Sequence, residues 1–483
     1  MPIPSRSRLR LIPALALVAL SLGAGETSAQ TLARPGWVGS GMAAQSWFRH
    51  AVFYEIDTRS FARGSKETAG SAGTLSGITE RLDYIKDLGV DAILLEPLTP
   101  TGTAAHPAPV DPALGTIDDF DELSRQASRH NLRIVLTLAQ PDAALARFWL
   151  TRGVAGFYIP GQADAAALQA IRKLLPGTAG QRILITDTDL AGSPARTAVK
   201  MASRLPANEL HLDRAVLGLP SPPPANLAAG LRGALEQTQS LSRALPTLLA
   251  TDAPALPRSA DRFALPDHDH QADAAKLAGA VLLLNRSIPV IFAGQELGLS
   301  SPSGAPVMIP WGKDPTRSPE TAAEAAPPTP PQPTANNTPS DRYVPYVPPA
   351  RPVKPPPPDP ATAAGQELDP NSVLSFYRQL IEIHRGRIDV HDGDEVLLNH
   401  DNVNALLWVH RPAKPSLATP ALVVLCNPSP NPLELSIKPD MTSLHLRGSF
   451  LRRVLSSEAG RVSMDLDPAK LPPFGVYIGE LRY

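Results

Sequence analysis

The sequence predicts an α/β fold, a (β/α)8 barrel followed by a small all-β domain. Between about residues 50 and 300, short β-like runs alternate with helical patterns, as parallel βα units require. A stretch of 15 prolines in 34 positions, residues 327–360, then breaks the pattern. After it come one amphipathic helix and a series of short alternating runs.

Eight runs qualify as barrel strands: residues 52–57, 92–96, 133–139, 153–160, 182–187, 215–219, 247–252 and 289–294. The sixth is the weakest by pattern, because prolines crowd its end. Ile78, Leu82, Ile85 and Leu88 recur at helical spacing between the first two strands, and residues 119–130 and 274–284 behave alike. The proline-dense stretch cannot fill a helix or a central strand. It reads as an extended, exposed loop over 321–362, semi-rigid or serving to dock a partner. Helix signals return over residues 369–384, with Pro370 and Ser372 near the start. The runs at 395–398, 405–409, 421–426, 433–437, 454–455 and 475–479 predict a β-sandwich over 386–483, behind a barrel over 40–385.

Composition narrows the function. The hydrophobic fraction of 43% suits a packed core, and 483 residues suggest two or three domains. A formal net charge of −1, with no basic patch or aromatic platform, argues against nucleic acid as a partner. Cys426 is the single cysteine, so no intramolecular disulfide can form, and its apolar run predicts a buried thiol. Residues 1–29 read as a secretory signal: Arg6, Arg8 and Arg10, then an apolar stretch from Leu11 to Ala24, then Thr27-Ser28-Ala29. That apolar stretch is short for a membrane span of about 20 residues. The expectation is a cleaved signal and a periplasmic or secreted protein, with an uncleaved anchor as the alternative.

Particular segments carry a family resemblance. Trp47-Phe-Arg-His-Ala-Val-Phe-Tyr-Glu-Ile-Asp-Thr-Arg-Ser-Phe61 resembles the opening strand of glycoside hydrolase family 13, the α-amylase and α-glucosidase family. Residues 75–93, the stretch Asp111-Pro-Ala-Leu-Gly-Thr-Ile-Asp-Asp-Phe-Asp-Glu-Leu123, Ile291-Phe-Ala-Gly-Gln-Glu-Leu-Gly-Leu299 and residues 364–378 resemble further landmarks of that family, in order. The resemblance implies a TIM barrel of α-amylase type with a C-terminal β-sandwich.

The resemblance also implies what retaining glycoside hydrolysis needs: a carboxylate nucleophile and a carboxylic acid about 5 Å apart across the scissile bond. The family ends its fourth strand Gly-Phe-Arg-Ile-Asp, the aspartate being the nucleophile. Here that strand ends Gly156-Phe-Tyr-Ile-Pro160. Pro160 stands at the nucleophile position and Tyr158 at the arginine. The general acid falls on Asp187, which reaches about 1.5 Å less far than a glutamate. The family's third carboxylate falls on Asp252, in Ala250-Thr-Asp252, without the histidine beside it. The third-strand motif appears as Thr137-Leu-Ala-Gln-Pro-Asp142, also without a histidine. The small domain that the family inserts after the third strand has no room here.

Asp187 and Asp252 are thus the remnant catalytic candidates, since an inverting mechanism needs two carboxyl groups and no enzyme nucleophile. Tyr158 and Arg59 are the candidate substrate contacts: Tyr158, at a barrel position expected to point toward the mouth, for stacking on a sugar, and Arg59 for donating to its hydroxyls, with a surface ion pair as the plainer role of Arg59. Trp149 and Trp311 are further aromatic candidates, Trp149 favouring the core. Asp267-His-Asp-His270 has metal-ligand residue types but reads as a solvated loop. No metal and no cofactor is expected, and nothing signals a serine triad or a phosphate loop.

Three functional readings follow. The first is an exported, catalytically inactive homologue that binds a glycan or a protein partner. The second is a divergent α-glucan hydrolase using Asp187 and Asp252. The third is an assembly protein that makes its contact through the proline-rich loop.

Overall fold

The computed structural model describes residues 46–483 except 68–71, 101–107, 162–163, 188–205, 221–225, 244, 265–267, 313–357, 399–401, 415 and 417–418. The expected signal segment and nearly all of the proline-dense stretch lie outside the described residues.

Eight parallel strands close a barrel in chain order. They are β1 (Phe53–Ile56), β2 (Ala92–Leu95), β3 (Arg133–Thr137), β4 (Gly156–Ile159), β5 (Ile183–Asp187), β6 (Glu209–Asp213), β7 (Thr247–Ala250) and β8 (Ile288–Phe292). Phe53 is in register with Ala92 on one side and Val290 on the other, which closes the ring. Alternate residues face the axis and pack there as layers: Phe53, Leu94, Val135, Tyr158, Ile185, Leu212, Leu248 and Val290 belong to one interior cluster. The intervening residues, such as Tyr54, Ile93, Phe157 and Leu249, pack outward against the helices.

Local chemistry sets the helix ends. Thr116 and Asp119 form a reciprocal capping box that starts the helix Ile117–Arg129. Gly89, at φ +98°, ends the helix Leu82–Leu88 in a conformation that disfavours any side chain. Between β3 and β4 the chain forms only the helix Ala143–Leu150, capped by the Asp142 carboxylate. Trp149 lies in the core, edge-on to Phe120 at 4.5 Å.

The sixth strand departs from expectation. It is Glu209–Asp213, and residues 215–218 form a turn. The apolar run Ala215-Val-Leu-Gly-Leu219 attracts the strand assignment, whereas the real strand alternates charged or polar with leucine. Its outward polar groups are buried but satisfied. Glu209 accepts from Arg172 at 2.9 Å, and Asp213 accepts from the Thr238 hydroxyl at 2.7 Å. Only Leu210 and Leu212 enter the interior.

The C-terminal domain is antiparallel. A six-stranded sheet runs β14-β13-β16-β11-β10-β9, and β12 pairs with β15. The ranges are β9 Asp394–Leu398, β10 Leu406–Arg411, β11 Leu422–Cys426, β12 Leu433–Leu435, β13 Phe450–Ser456, β14 Ser463–Asp465, β15 Ala469–Leu471 and β16 Val476–Arg482. Both faces of the central strands are buried. Leu406, Trp408 and Cys426 pack toward the barrel helices, while Leu407, Val409 and Leu425 pack into the domain's own core. This explains why β11 reads as an unbroken apolar run.

The junction with the barrel is polar as well as apolar. Trp408 Nε1 and His410 Nε2 both approach the Leu284 carbonyl, and the Glu395 carboxylate accepts from the backbone N–H of Arg286 at 2.7 Å. Beside this seam His50 stacks on His391, with ring centroids 4.3 Å apart, and His391 meets His384 edge-on at 4.4 Å. His384 Nδ1–H donates to the Leu283 carbonyl at 2.8 Å. Burial and then neighbouring His391 push His384 down to about 3; burial and then His50 push His391 down to about 4.

These depressed values fix the sign of a pH effect. The unfolded chain takes up protons near pH 6.5, before the folded chain does, so stability falls as pH drops toward 3 to 4. Between pH 7 and 5 the wild type should lose about 2 kcal/mol relative to a His384→Gln variant, by denaturant titration. Parallel pH profiles for the two proteins would contradict this.

Candidate functional site

Strand alternation brings one layer of polar side chains to the C-terminal mouth of the barrel. Its members are Glu55 on β1, Glu96 just past β2, Thr137 on β3, Tyr158 on β4, Asp187 on β5 and Arg214 just past β6. Glu55, Glu96, Thr137, Asp187 and Arg214 each lie two residues beyond an interior apolar residue, and Tyr158 itself belongs to the interior cluster, so each aims at the axis.

Glu55 and Glu96 hydrogen-bond to each other through their carboxyl groups. Burial, then the charge of Glu96, raises Glu55 well above the usual carboxylate range, with Arg214 and Arg258 offsetting part of the effect. Burial also raises Glu96, while the bonds from Glu55 and Thr137 oppose it. Two carboxyl groups bonded in this way share one proton, which raises the pair as a whole above the usual carboxylate range.

Asp187 is the hub of the opposite side. Its Oδ1 accepts from the Tyr158 hydroxyl at 2.9 Å. Its Oδ2 accepts from the Gly161 backbone N–H at 3.1 Å and from Arg214 Nη1 at 3.0 Å. Gly161 adopts φ +69°, which turns its N–H back toward the strand end. Both oxygens therefore act as acceptors to three donors. Burial and then the Asp187 charge push the Tyr158 phenol far above its ordinary value, so it remains a donor.

Asp252 lies apart from this network. It is fully buried just past β7, and its Oδ1 accepts from the backbone N–H of Ser259 at 2.5 Å. Burial raises its pKa, and nearby Arg258 and Arg262 oppose that rise. Arg258 links the two regions. It lies 4.1 Å over the Phe292 ring, donates to the Ala293 carbonyl, and interacts electrostatically with both Glu55 and Asp252.

The remaining candidates fall as follows. Pro160 follows β4 directly, two residues beyond Tyr158, and so occupies the axis-facing position at the strand end. The Tyr158 ring is only 5% exposed and packs within the interior cluster, so it presents no open stacking face. Arg59 pairs with Asp111 at 2.5 Å, leaving its guanidinium engaged at the rim. Trp311 donates to the Phe61 carbonyl at 2.9 Å and packs edge-on to Phe61 and Tyr84. His268–His270 is a short 3-10 helix, in which His270 pairs with Asp273. No cluster of three or more metal-ligand side chains occurs among the described residues.

Sequence pattern singles out neither Glu55 and Glu96 nor Arg214 and Arg258. A glutamate inside the otherwise apolar Phe53-Tyr-Glu-Ile56 is the available signal: at an axis-facing position it needs a partner across the barrel. Another loop-forming carboxylate, Glu296, accepts from the hydroxyls of Tyr54 and Tyr84, both at 2.8 Å, and pins the turn after β8.

An eight-stranded parallel barrel with this helix order and a C-terminal antiparallel sheet is the architecture of an α-amylase-type protein. The comparisons with known proteins agree. The family described as "Alpha amylase, catalytic domain" matches residues 55–155. Trehalose-6-phosphate hydrolase of Escherichia coli is 36% identical over 110 residues, 21% of this chain and 19% of that protein. Alpha-amylase 3 of Dictyoglomus thermophilum is 29% identical over 121 residues, 24% of each chain. The alignments thus span about a quarter or less of these relatives' length. Among solved structures, trehalose-6-phosphate hydrolase of Bacillus licheniformis superposes with a TM-score of 0.68 at 14% identity, covering 91% of this chain and 100% of that one. Residues 55–155 are thus similar to an α-amylase catalytic domain, and the chain has the fold of the solved α-amylase-type structures.

The carboxyl pair yields a test. Because Glu55 is raised, the folded protein keeps a proton that the unfolded chain releases near pH 4.5, so this pair costs stability as pH rises. A Glu55→Gln variant keeps the hydrogen bond without the titration. Between pH 5 and 8 it should gain stability relative to wild type, whereas Glu96→Ala should cost about 1–3 kcal/mol by leaving the buried Glu55 hydroxyl unpaired. Parallel profiles for Glu55→Gln and wild type would show that no proton is shared.

Proposed function

We propose that this protein is a non-hydrolysing member of its family that binds a carbohydrate at the barrel mouth. One observation carries the reading. The axis-facing end of β4 is Pro160, and the neighbouring carboxylate, Asp187, has both oxygens held by Tyr158, Gly161 and Arg214. A nucleophile is absent at the first position, and at the second every hydrogen bond runs toward the carboxylate, whereas a general acid must donate.

Binding has separate support. Six of the eight strands contribute a polar side chain to the mouth layer, and Arg258 Nη1 is buried with no hydrogen-bond partner among the described residues. Such a donor favours an oxygen-rich ligand or a bridging water. The relatives' names point to glucosides and trehalose phosphate as the ligand class to try first. We further propose that residues 1–29 direct export to the periplasm or beyond.

The purified chain should release no product from maltooligosaccharides or a nitrophenyl α-glucoside. Pro160→Asp alone should also be inactive, since the arginine and histidine partners are missing as well. A glycan that binds should stabilise the protein by about 2.7 kcal/mol at 100 times its dissociation constant. Turnover by the parent that disappears in an Asp187→Ala variant would overturn the reading. No stabilisation by any glycan would instead favour a protein partner.

A further inference from the structure

The opposite end of the barrel carries a cavity remote from the mouth. Its volume is about 450 Å3, and it is built from residues that lead into β1, β3, β4 and β5. Trp47 forms one wall. Its indole N–H donates to the Gln181 carbonyl at 3.0 Å, and the Arg133 guanidinium sits 4.6 Å from its ring centroid. Arg182 enters from the side. Its Nη1 reaches the Gly153 carbonyl only at 3.4 Å, and its Nε is buried with no hydrogen-bond partner among the described residues. Ser124 and Ser128 line the cavity from the helix Ile117–Arg129, their hydroxyls donating to the carbonyls of Arg152 and Ser124. The hydroxyl oxygens keep lone pairs for an incoming donor.

Charge singles this cavity out. Several other arginines of the described residues meet carboxylates: Arg172 with Glu209, Arg214 with Asp187, Arg387 with Asp389. No carboxylate among the described residues lines this cavity, so Arg133 and Arg182 meet there without a counter-charge. Burial alone pushes Arg182 below the usual guanidinium range. A guanidinium partly withdrawn from water and left unpaired is a standing cost that an oxyanion would remove.

We propose that this cavity binds a small hydroxylated oxyanion, a sugar phosphate or a sugar acid. The anionic group sits between Arg133 and Arg182, and the hydroxyls face Ser124, Ser128 and the Gln181 amide. Small-molecule sites commonly measure about 300–1,000 Å3, so the cavity suits a ligand larger than a bare oxyanion. The inference stands on residues separate from the barrel mouth and does not depend on what binds there.

Isothermal titration of the full chain with glucose 6-phosphate, glucuronate, inorganic phosphate and glucose tests it. At least one anionic sugar should saturate a single site, and its identity distinguishes phosphate from carboxylate recognition. Glucose should not bind this site. Arg133→Gln and Arg182→Gln should each weaken binding about tenfold or more, and added salt should weaken it too. Tyr158→Phe, at the other end of the barrel, should leave it unchanged. Arg133 is exposed, so its replacement is expected to leave folding intact. Binding of neither anionic sugar, equal binding of glucose that the arginine variants also weaken, or unchanged affinity in both arginine variants would overturn the proposal. Phosphate binding as tightly as glucose 6-phosphate would overturn the sugar assignment.

Discussion

Closure of eight parallel strands imposes one constraint on which the rest of this structure depends. Every second residue of each strand must face the barrel axis, and at the C-terminal end several of these residues are both polar and buried. Polar groups there must satisfy one another or await a ligand. Glu55 and Glu96 answer by sharing a proton across β1 and β2. Tyr158, Gly161 and Arg214 answer by converging on Asp187. The mouth is therefore a largely self-satisfied polar layer.

That condition bears directly on chemistry. A glycosidase keeps its carboxyl groups unsatisfied by protein on the side where the sugar lies, so that one can attack or donate. Here the available carboxyl groups face protein partners. Asp252 accepts from the Ser259 backbone N–H and is flanked by Arg258 and Arg262. The short connection between β3 and β4, a single helix from Ala143 to Leu150, leaves the mouth without the extra wall that the family resemblance implies.

Much of the architecture was legible because apolar periodicity reports burial. Seven of the eight barrel strands lie where their Val, Ile and Leu runs place them. The exception, β6, hides because its outward residues Glu209, His211 and Asp213 are polar yet buried, satisfied by partners far along the chain such as Arg172 and Thr238. Pattern cannot foresee those partners. The same limit applies at the site. Pro160 at the end of β4 could be read from the local motif, but the Glu55–Glu96 pair joins strands about 40 residues apart, and the role of Arg214 depends on the true register of β6. In the C-terminal domain, the strands with unbroken apolar runs were legible, while β14 and β15 were not, being three residues each with exposed, polar alternation.

We propose that no carboxylate among the described residues of the barrel mouth is free to act as a nucleophile toward a sugar. A mechanism-based probe reads this without depending on turnover. The purified chain would be treated with an epoxide-bearing glucose mimic, which alkylates a glycosidase nucleophile, and its intact mass followed over hours. No covalent adduct is expected, because Pro160 cannot react and Asp187 has both oxygens held by Tyr158, Gly161 and Arg214. A stoichiometric adduct mapped to Asp187 or Asp252 would contradict it.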